Sequence, residues 1–187
     1  MIINILKNKK EERRKFKEIR KKDSKYEKTK VRKNVELYLS SLDQNKLKNK
    51  NLAIYWPLKY EIDLRGLKSK YSLALPRCTT NHNLEFHLWN DSPLKNDING
   101  IPYPNNKILL SYKQISHIFV PCLSIDKNFN RLGYGGGYFD KLRSPEHWRL
   151  VPCIGILTER CVSKNSLTKA EWDIPLSGFI TDKDIFI

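Results

Sequence analysis

The run Arg131-Leu132-Gly133-Tyr134-Gly135-Gly136-Gly137-Tyr138-Phe139-Asp140 carries the strongest chemical signal in this chain. Four of the chain's eight glycines fall within Gly133–Gly137, after the apolar run IFVPCLSI and before a helix-compatible segment. A glycine-rich turn between strand and helix lets backbone N–H groups converge on an anion. Glycine is required there because the backbone must take positive φ angles and approach its ligand closely. Arg131 can add a bidentate contact to a phosphate, and Asp140 can hold a Mg²⁺ ion that bridges phosphate oxygens. The pattern lacks the G-x-x-x-x-G-K-[ST] of a P-loop and the later acid of a dinucleotide fingerprint. A flexible surface hairpin is the ordinary alternative for a glycine pair. Four glycines flanked by Arg131 and Asp140 favour a phosphate-binding loop of another type.

Lys9 and Arg13 are spaced i, i+4 and therefore share one helix face. Lys10 and Arg14 repeat the spacing one residue on, so a solvated basic face explains the pattern equally well. His82, His87, His117 and His147 have no metal-ligand spacing. Cys78, Cys122, Cys153 and Cys161 form no CxxC pair and no zinc-finger cluster. They fit buried free thiols in a reducing compartment.

The residues that could do chemistry need a scaffold, and 187 residues are enough for one. A chain of this length buries roughly 70% of its unfolded surface and needs no disulfide framework or structural metal. With 40% hydrophobic, 29% charged and 11% aromatic residues, disordered and low-complexity classes are excluded. Residues 1–50 hold 18 Lys/Arg against 7 Asp/Glu, a net of +11, whereas the whole chain is +15 and the remainder is therefore only +4. A nearly balanced body thus carries a basic N-terminal segment. The first residues place their apolar stretch before the charges, the reverse of a secretory signal, and no 18-residue apolar run is present. The expectation is a cytoplasmic protein with no membrane partner, acting as a monomer.

Residues 9–22 are good helix formers without Gly or Pro. Ser24 and Glu27 read as a capping box, followed by Val31, Val35, Tyr38 and Leu42 at helical spacing. Residues 1–42 should therefore be a basic helical segment packed on, or extending from, a single α/β domain spanning 1–187. Short apolar runs at 52–56, 71–75, 84–89, 117–125, 150–157 and 178–181 are mostly continuous, as suits strands buried on both faces. Helix-compatible segments lie at 63–70 and 138–142. The fold class is a layered α/β domain with a central mixed, largely parallel sheet flanked by helices. Residues 90–107, rich in Pro, read as a long functional loop.

RLGYGGGYFD resembles the glycine-rich signature of the 5-formyltetrahydrofolate cyclo-ligase (5,10-methenyltetrahydrofolate synthetase) family. Over nearly the whole chain, YWPLKYEIDLRGL, LALPR, IFVPCLSID, VPCIGILTE and WDIPLSGFIT are similar, in order, to the family's other segments. The resemblance implies an α/β fold, dependence on ATP and Mg²⁺, and conversion of a reduced folate, 5-formyltetrahydrofolate, to 5,10-methenyltetrahydrofolate with release of ADP and phosphate. It implies that Lys9, Arg13, Arg131 and the loop Leu132, Gly133, Tyr134, Gly135, Gly136, Gly137, Tyr138 and Phe139 bind ATP, with Arg131 and Tyr138 catalytic. Glu61 becomes the carboxylate that accepts two N–H bonds from the pterin, with Trp56, Tyr134 and Tyr138 as folate contacts. Asp140 and Asp173 become the metal-side carboxylates.

The chain departs from that pattern at Phe129, where a Gly is usual, and at Phe139, where a second Tyr is usual. It also departs at Tyr103, in Ile101-Pro102-Tyr103-Pro104, and at Cys161-Val162. These bear on the folate-side fit more than on ATP. The net charge of the arm keeps a second reading open, a non-catalytic relative binding nucleotide or RNA through residues 1–22, although only Phe16 and Tyr26 could stack on bases there. A third is a phosphate-binding protein with another substrate.

Overall fold

The computed structural model describes residues 2–187. Helix α1 spans Ile2–Arg20. It starts well before Lys9 because neither Gly nor Pro interrupts residues 2–20. It is no free arm. Phe16 is buried with Leu123, Leu132 and Leu167, Glu12 accepts from the Thr168 N–H at 3.0 Å, and Ile19 packs on the main core. The expected capping box closes the break before α2 (Lys25–Ser41): the Glu27 N–H donates to Ser24 Oγ at 3.1 Å and the Ser24 N–H to Glu27 Oε2 at 2.7 Å. Val31, Val35, Tyr38 and Leu39 form the buried stripe of α2. A one-turn α3 (Gln44–Lys48) follows.

The strands are β1 (Asn51–Ala53), β2 (Leu73–Cys78), β3 (Leu84–Leu88), β4 (Leu94–Asn96), β5 (Pro102–Pro104), β6 (Leu109–Leu110), β7 (Ile115–Pro121), β8 (Ser124–Ile125), β9 (Arg131–Leu132), β10 (Cys153–Ile156), β11 (Gly178–Ile180) and β12 (Ile185–Phe186). Short helices α4 (Tyr138–Leu142) and α5 (Glu146–Arg149) lie between β9 and β10. Eight strands form one sheet in the order β12-β11-β10-β7-β1-β2-β3-β6. The β11-β10-β7-β1-β2 block is parallel, and β12, β3 and β6 pair antiparallel at its margins. This is the mixed, largely parallel sheet expected from the continuous apolar runs, with β10 buried at every position. One face packs on a core holding Phe86, Ile118 and Phe179. The other packs against α2 through Val31, Val35 and Leu39.

Three expectations change. The helix-compatible segment 63–70 is only a 3₁₀ turn, Arg65–Ser69. The run 117–125 is two strands, because the chain turns after Pro121 and β8 pairs antiparallel with β9 outside the main sheet. The segment 90–107 is a β4–β5 hairpin rather than a structureless loop. Its tip is organised by Asp97, which accepts from the Asn99, Ile101 and Cys78 N–H groups at 2.8, 3.0 and 2.8 Å. Prolines at both ends of β5 hide the alternation that marks a strand.

All four cysteines are buried and unpaired. Burial pushes their thiols up, to about 12 for Cys78 and Cys122 and about 11 for Cys153 and Cys161, so they are packing groups rather than nucleophiles. Among the described residues no helix is long and apolar enough to cross a membrane.

Two connections determine where function can be placed. Chain order runs outward from β1 through β2 and β3 to β6, then jumps to β7 on the other side of β1. The crevice beyond the carboxyl ends of β1 and β7 is thus a topological switch point, the usual ligand position in open α/β sheets. The β8–β9 turn is built on the buried Asp126 carboxylate, which accepts from the Asn128, Asn130 and Leu167 N–H groups at 2.9, 3.0 and 2.9 Å. Phe129 takes φ +61° in this turn, which explains why Gly is the easier residue there. Packing of its ring 5.8 Å from Phe179 offsets the strain.

Asp126→Ala leaves three backbone donors, the Leu167 N–H among them buried, without their anion, and hydrogen bonds to charged groups contribute about 1.5–3 kcal/mol each. Urea denaturation should show a loss of about 3 kcal/mol or more. The Ser24 N–H, then Arg160 and the Ser24 hydroxyl, hold Glu27 down at about 2. Its folded value is depressed, so its contribution is complete above the ordinary 4.5 and is lost as pH falls through about 2. The acid limb of a stability-versus-pH curve should be shallower in Glu27→Gln.

Candidate active site

Beyond the carboxyl ends of β1, β2 and β7 lies a cavity of about 370 Å³. All the residues singled out from the sequence border it: Lys9 and Arg13, Trp56, Glu61, Arg131 through Asp140, and Asp173. They come from four separate stretches of chain, and the fold brings them together.

One end is the glycine loop. Strand β9 presents Arg131, whose guanidinium lies 3.3 Å from Asp140 Oδ1 and 5.5 Å from the Phe139 ring. That cation–π contact uses the ring face and needs no hydroxyl, so the Phe139 departure leaves it intact. Gly135 and Gly137 have φ of +107° and +68°, which L side chains adopt only with strain. Gly133 lacks room for a side chain: a Cβ there would be 2.5 Å from Arg131 Nη1. Leu132 borders the cavity, but its side chain belongs to the core beside Phe16. Tyr138 opens α4, and its hydroxyl accepts from Asn99 Nδ2 of the β4–β5 hairpin at 2.8 Å.

Helix α1 closes this end. Lys9 is buried and ion-paired with Asp173, while Arg13 Nε donates to the Gly133 carbonyl at 2.9 Å. Lys10 and Arg14 are exposed and border a different groove on the outer face of α1. The structure therefore separates two pairs that the spacing alone could not. Asp173 also accepts from the Ala170 N–H at 2.8 Å, and the exposed Trp172 stands beside it at the mouth.

The other end is Glu61, which is only 6% exposed. The turn after β1 holds it: the Leu58 N–H donates to Oε2 at 2.8 Å. Burial pushes the carboxyl above its usual range, although the Leu58 N–H, Arg20 and Tyr134 each pull it down. Trp56 is half-buried against Trp89 at 6.2 Å, and the Arg65 guanidinium covers its ring at 4.5 Å. Tyr55, Pro76, Cys78 and Ile101 complete an apolar wall that sequence reasoning passed over. Alternation along β2 places Pro76 and Cys78 on one face, a signal short strands rarely give alone. Tyr103 lies outside the wall, 5.6 Å from His87 and 5.1 Å from Arg77. Cys161 is buried beside Thr158. Neither of these two departures touches the cavity.

Among the described residues no group of three or more His, Cys, Asp or Glu side chains could hold a metal ion. Asp140 and Asp173 face the cavity, each beside a cation, Arg131 or Lys9. Their hard oxygens suit Mg²⁺ only when phosphate oxygens and water supply the remaining ligands.

The 5-formyltetrahydrofolate cyclo-ligase family model matches residues 5–181. The 5-formyltetrahydrofolate cyclo-ligase of Haemophilus influenzae is 30% identical, over 68% of this chain and 73% of its own. That of Escherichia coli K12 is 29% identical over 42% of each chain. The NMR structure of Aquifex aeolicus 5,10-methenyltetrahydrofolate synthetase is similar with a TM-score of 0.77 at 27% identity, covering 95% of this chain and 91% of that one. The synthetase of Mycoplasma pneumoniae gives a TM-score of 0.69 at 22% identity over 94% and 99%, a likeness of fold.

The glycine geometry is testable by nucleotide affinity. Gly133→Ala must displace the Arg131 guanidinium, so calorimetry should show MgATP binding weakened at least about tenfold, since an ångström of misplacement costs on the order of 100-fold in function. Gly137→Ala meets nothing within 4 Å and should lose stability by about 1–2 kcal/mol from its left-handed φ, with a smaller effect on binding.

Proposed function

The chain belongs to the 5-formyltetrahydrofolate cyclo-ligase family, and we propose that it closes the ring of 5-formyltetrahydrofolate to 5,10-methenyltetrahydrofolate at the expense of ATP. One observation carries the reading: a single cavity is lined by a glycine loop, three cations and a buried carboxylate, with Tyr55, Trp56 and Tyr134 among its walls. The loop and the carboxylate match the two substrates, a polyphosphate and a pterin.

The formyl oxygen attacks the γ-phosphorus of ATP, and ADP leaves. The formyl carbon is then activated as an iminophosphate. N10 of the folate attacks that carbon, closing the five-membered ring; the C–O bond breaks, phosphate departs with the former formyl oxygen, and the N10 proton leaves to the phosphate or to water. No nucleophilic side chain is needed, so the protein's work is positioning and charge stabilisation. Arg131, Lys9 and Arg13 offset phosphate charge, while backbone N–H groups of Gly133–Gly137 cradle the transferring group. Glu61 accepts the amino-pyrimidine edge, and Trp56, Tyr134 and Tyr138 confine the rings around the reacting atoms. Asp140 and Asp173, with phosphate oxygens, would hold Mg²⁺, which supplies charge neutralisation. Arg131 and Tyr138, at the two flanks of the loop, are the residues we place against the reacting groups.

The family relationship favours the catalytic reading over nucleic-acid binding through residues 1–22, and α1 is docked into the body with Lys9 and Phe16 buried.

Protein mixed with 5-formyltetrahydrofolate and Mg²⁺ should give a near-ultraviolet methenyl band only after ATP is added. A flat trace from folded protein would overturn the assignment. Asp140→Ala should lower turnover by at least about 100-fold in protein that is still folded, in keeping with loss of an electrostatic stabiliser, with a lower melting temperature because the buried Arg131 loses its partner. Retained turnover in that variant would remove Asp140 from the reaction.

A further inference from the structure

Arg20 was not singled out by the sequence, yet it is the most deeply buried arginine of α1. It occupies the last turn, 2% exposed. Nη1 donates to the Tyr134 hydroxyl at 2.8 Å and lies 3.9 Å from Glu61 Oε1. The side chains of this ion pair are 2% and 1% exposed. Arg20 does not line the cavity, whereas both of its partners do. It therefore stands behind them.

A buried charge of this kind costs several kcal/mol of desolvation and is retained only where its partners are well placed. Here the pairing is incomplete within the protein. Arg20 Nε and Nη2 and Glu61 Oε1 have no hydrogen-bond partner. A hydrophobic residue of the same length would fill the space without that cost. What Arg20 alone supplies is a positive charge and a fixed fork, placed where one arm meets the glycine loop through Tyr134 and faces Glu61. Tyr55, whose hydroxyl donates to the Ile62 carbonyl at 2.7 Å, also borders the cluster and offers no charge.

We propose that Arg20 is a positioning residue for the reduced folate: from behind the cavity wall its buried charge faces the Glu61 carboxylate and holds it in register with Tyr134 of the glycine loop. The burial-driven rise of the Glu61 carboxyl, opposed by Arg20, supports this placement. The inference rests on the reading of Glu61 as the pterin acceptor.

Steady-state kinetics on four variants test it: Glu61→Gln, Arg20→Met, Arg20→Lys and the Arg20→Met/Glu61→Gln double variant. Glu61→Gln should raise KM for 5-formyltetrahydrofolate at least about tenfold. Arg20→Met should raise the same KM about tenfold and leave KM for ATP within about twofold. In the double variant the added loss should be less than about twofold, because both changes remove one coupled unit. Arg20→Lys keeps a charge without the fork and should raise the folate KM about threefold, which keeps the test open if Arg20→Met does not fold. A purely structural role would shift both KM values together and multiply with Glu61→Gln. Either result overturns the proposal. A raised folate KM in Glu61→Gln with none in the Arg20 variants sinks Arg20 alone. An unchanged folate KM in Glu61→Gln sinks the reading of the cavity, and Arg20 with it.

Discussion

The docking of one stripe of α1 onto the glycine loop is the constraint on which the site depends. Lys9, Arg13, Phe16 and Arg20 recur at spacings of four, three and four residues, which keeps them on one helix face. In an ordinary amphipathic helix these would all be apolar. Here only Phe16 is, and it is the residue that enters the core. The three cations flank it and reach Asp173, the Gly133 carbonyl and the Tyr134 hydroxyl. The helix is therefore attached by the buried Phe16 ring with Ile19 beside it and steered by three charge-assisted contacts. Two of these cations, Lys9 and Arg13, consequently form a wall of the cavity.

The loop that α1 meets depends on a second constraint. Four glycines in five positions cannot hold their own shape, because glycine has the largest conformational entropy to lose. The short β8–β9 ribbon fixes one side of the loop and α4 the other. Asp126 fixes the ribbon by gathering three backbone donors on one carboxylate. Flexibility is thus confined to the positions that must approach a ligand closely, with rigid elements directly before and after them. The strained Phe129 fits this picture: its left-handed backbone is tolerated where packing against Phe179 over-determines it.

The sheet contributes the other half by topology. The jump from one side of β1 to the other opens a crevice at the carboxyl ends of β1 and β7. Tyr55 and Trp56 continue β1 into that crevice, and the turn that follows delivers Glu61. The phosphate end and the carboxylate end are therefore supplied by different layers of the molecule: loop and α1 for one, strand ends for the other. Arg20 is the side chain that touches both.

Much of this was legible in the sequence. The glycine cluster stands out because glycine is scarce elsewhere in the chain, and the capping box at Ser24 and Glu27 is local chemistry visible in four residues. Continuous apolar runs announce a sheet buried on both faces because burial on both faces removes alternation. Other features were not legible. Residues 2–20 hold eight Lys/Arg, so spacing could not say which of them turn inward. Arg20 looks like its exposed neighbours until α1 is docked, and only then does burial distinguish it. The β4–β5 hairpin was masked by its prolines, and the split of 117–125 by an apolar run that continues through a turn. The sequence by itself determined which chemistries were available and the kind of elements that would carry them, since those follow from residue type and short-range periodicity. Only the tertiary structure decided which cation meets which carboxylate, because that depends on the rotation of α1 against a loop more than a hundred residues away.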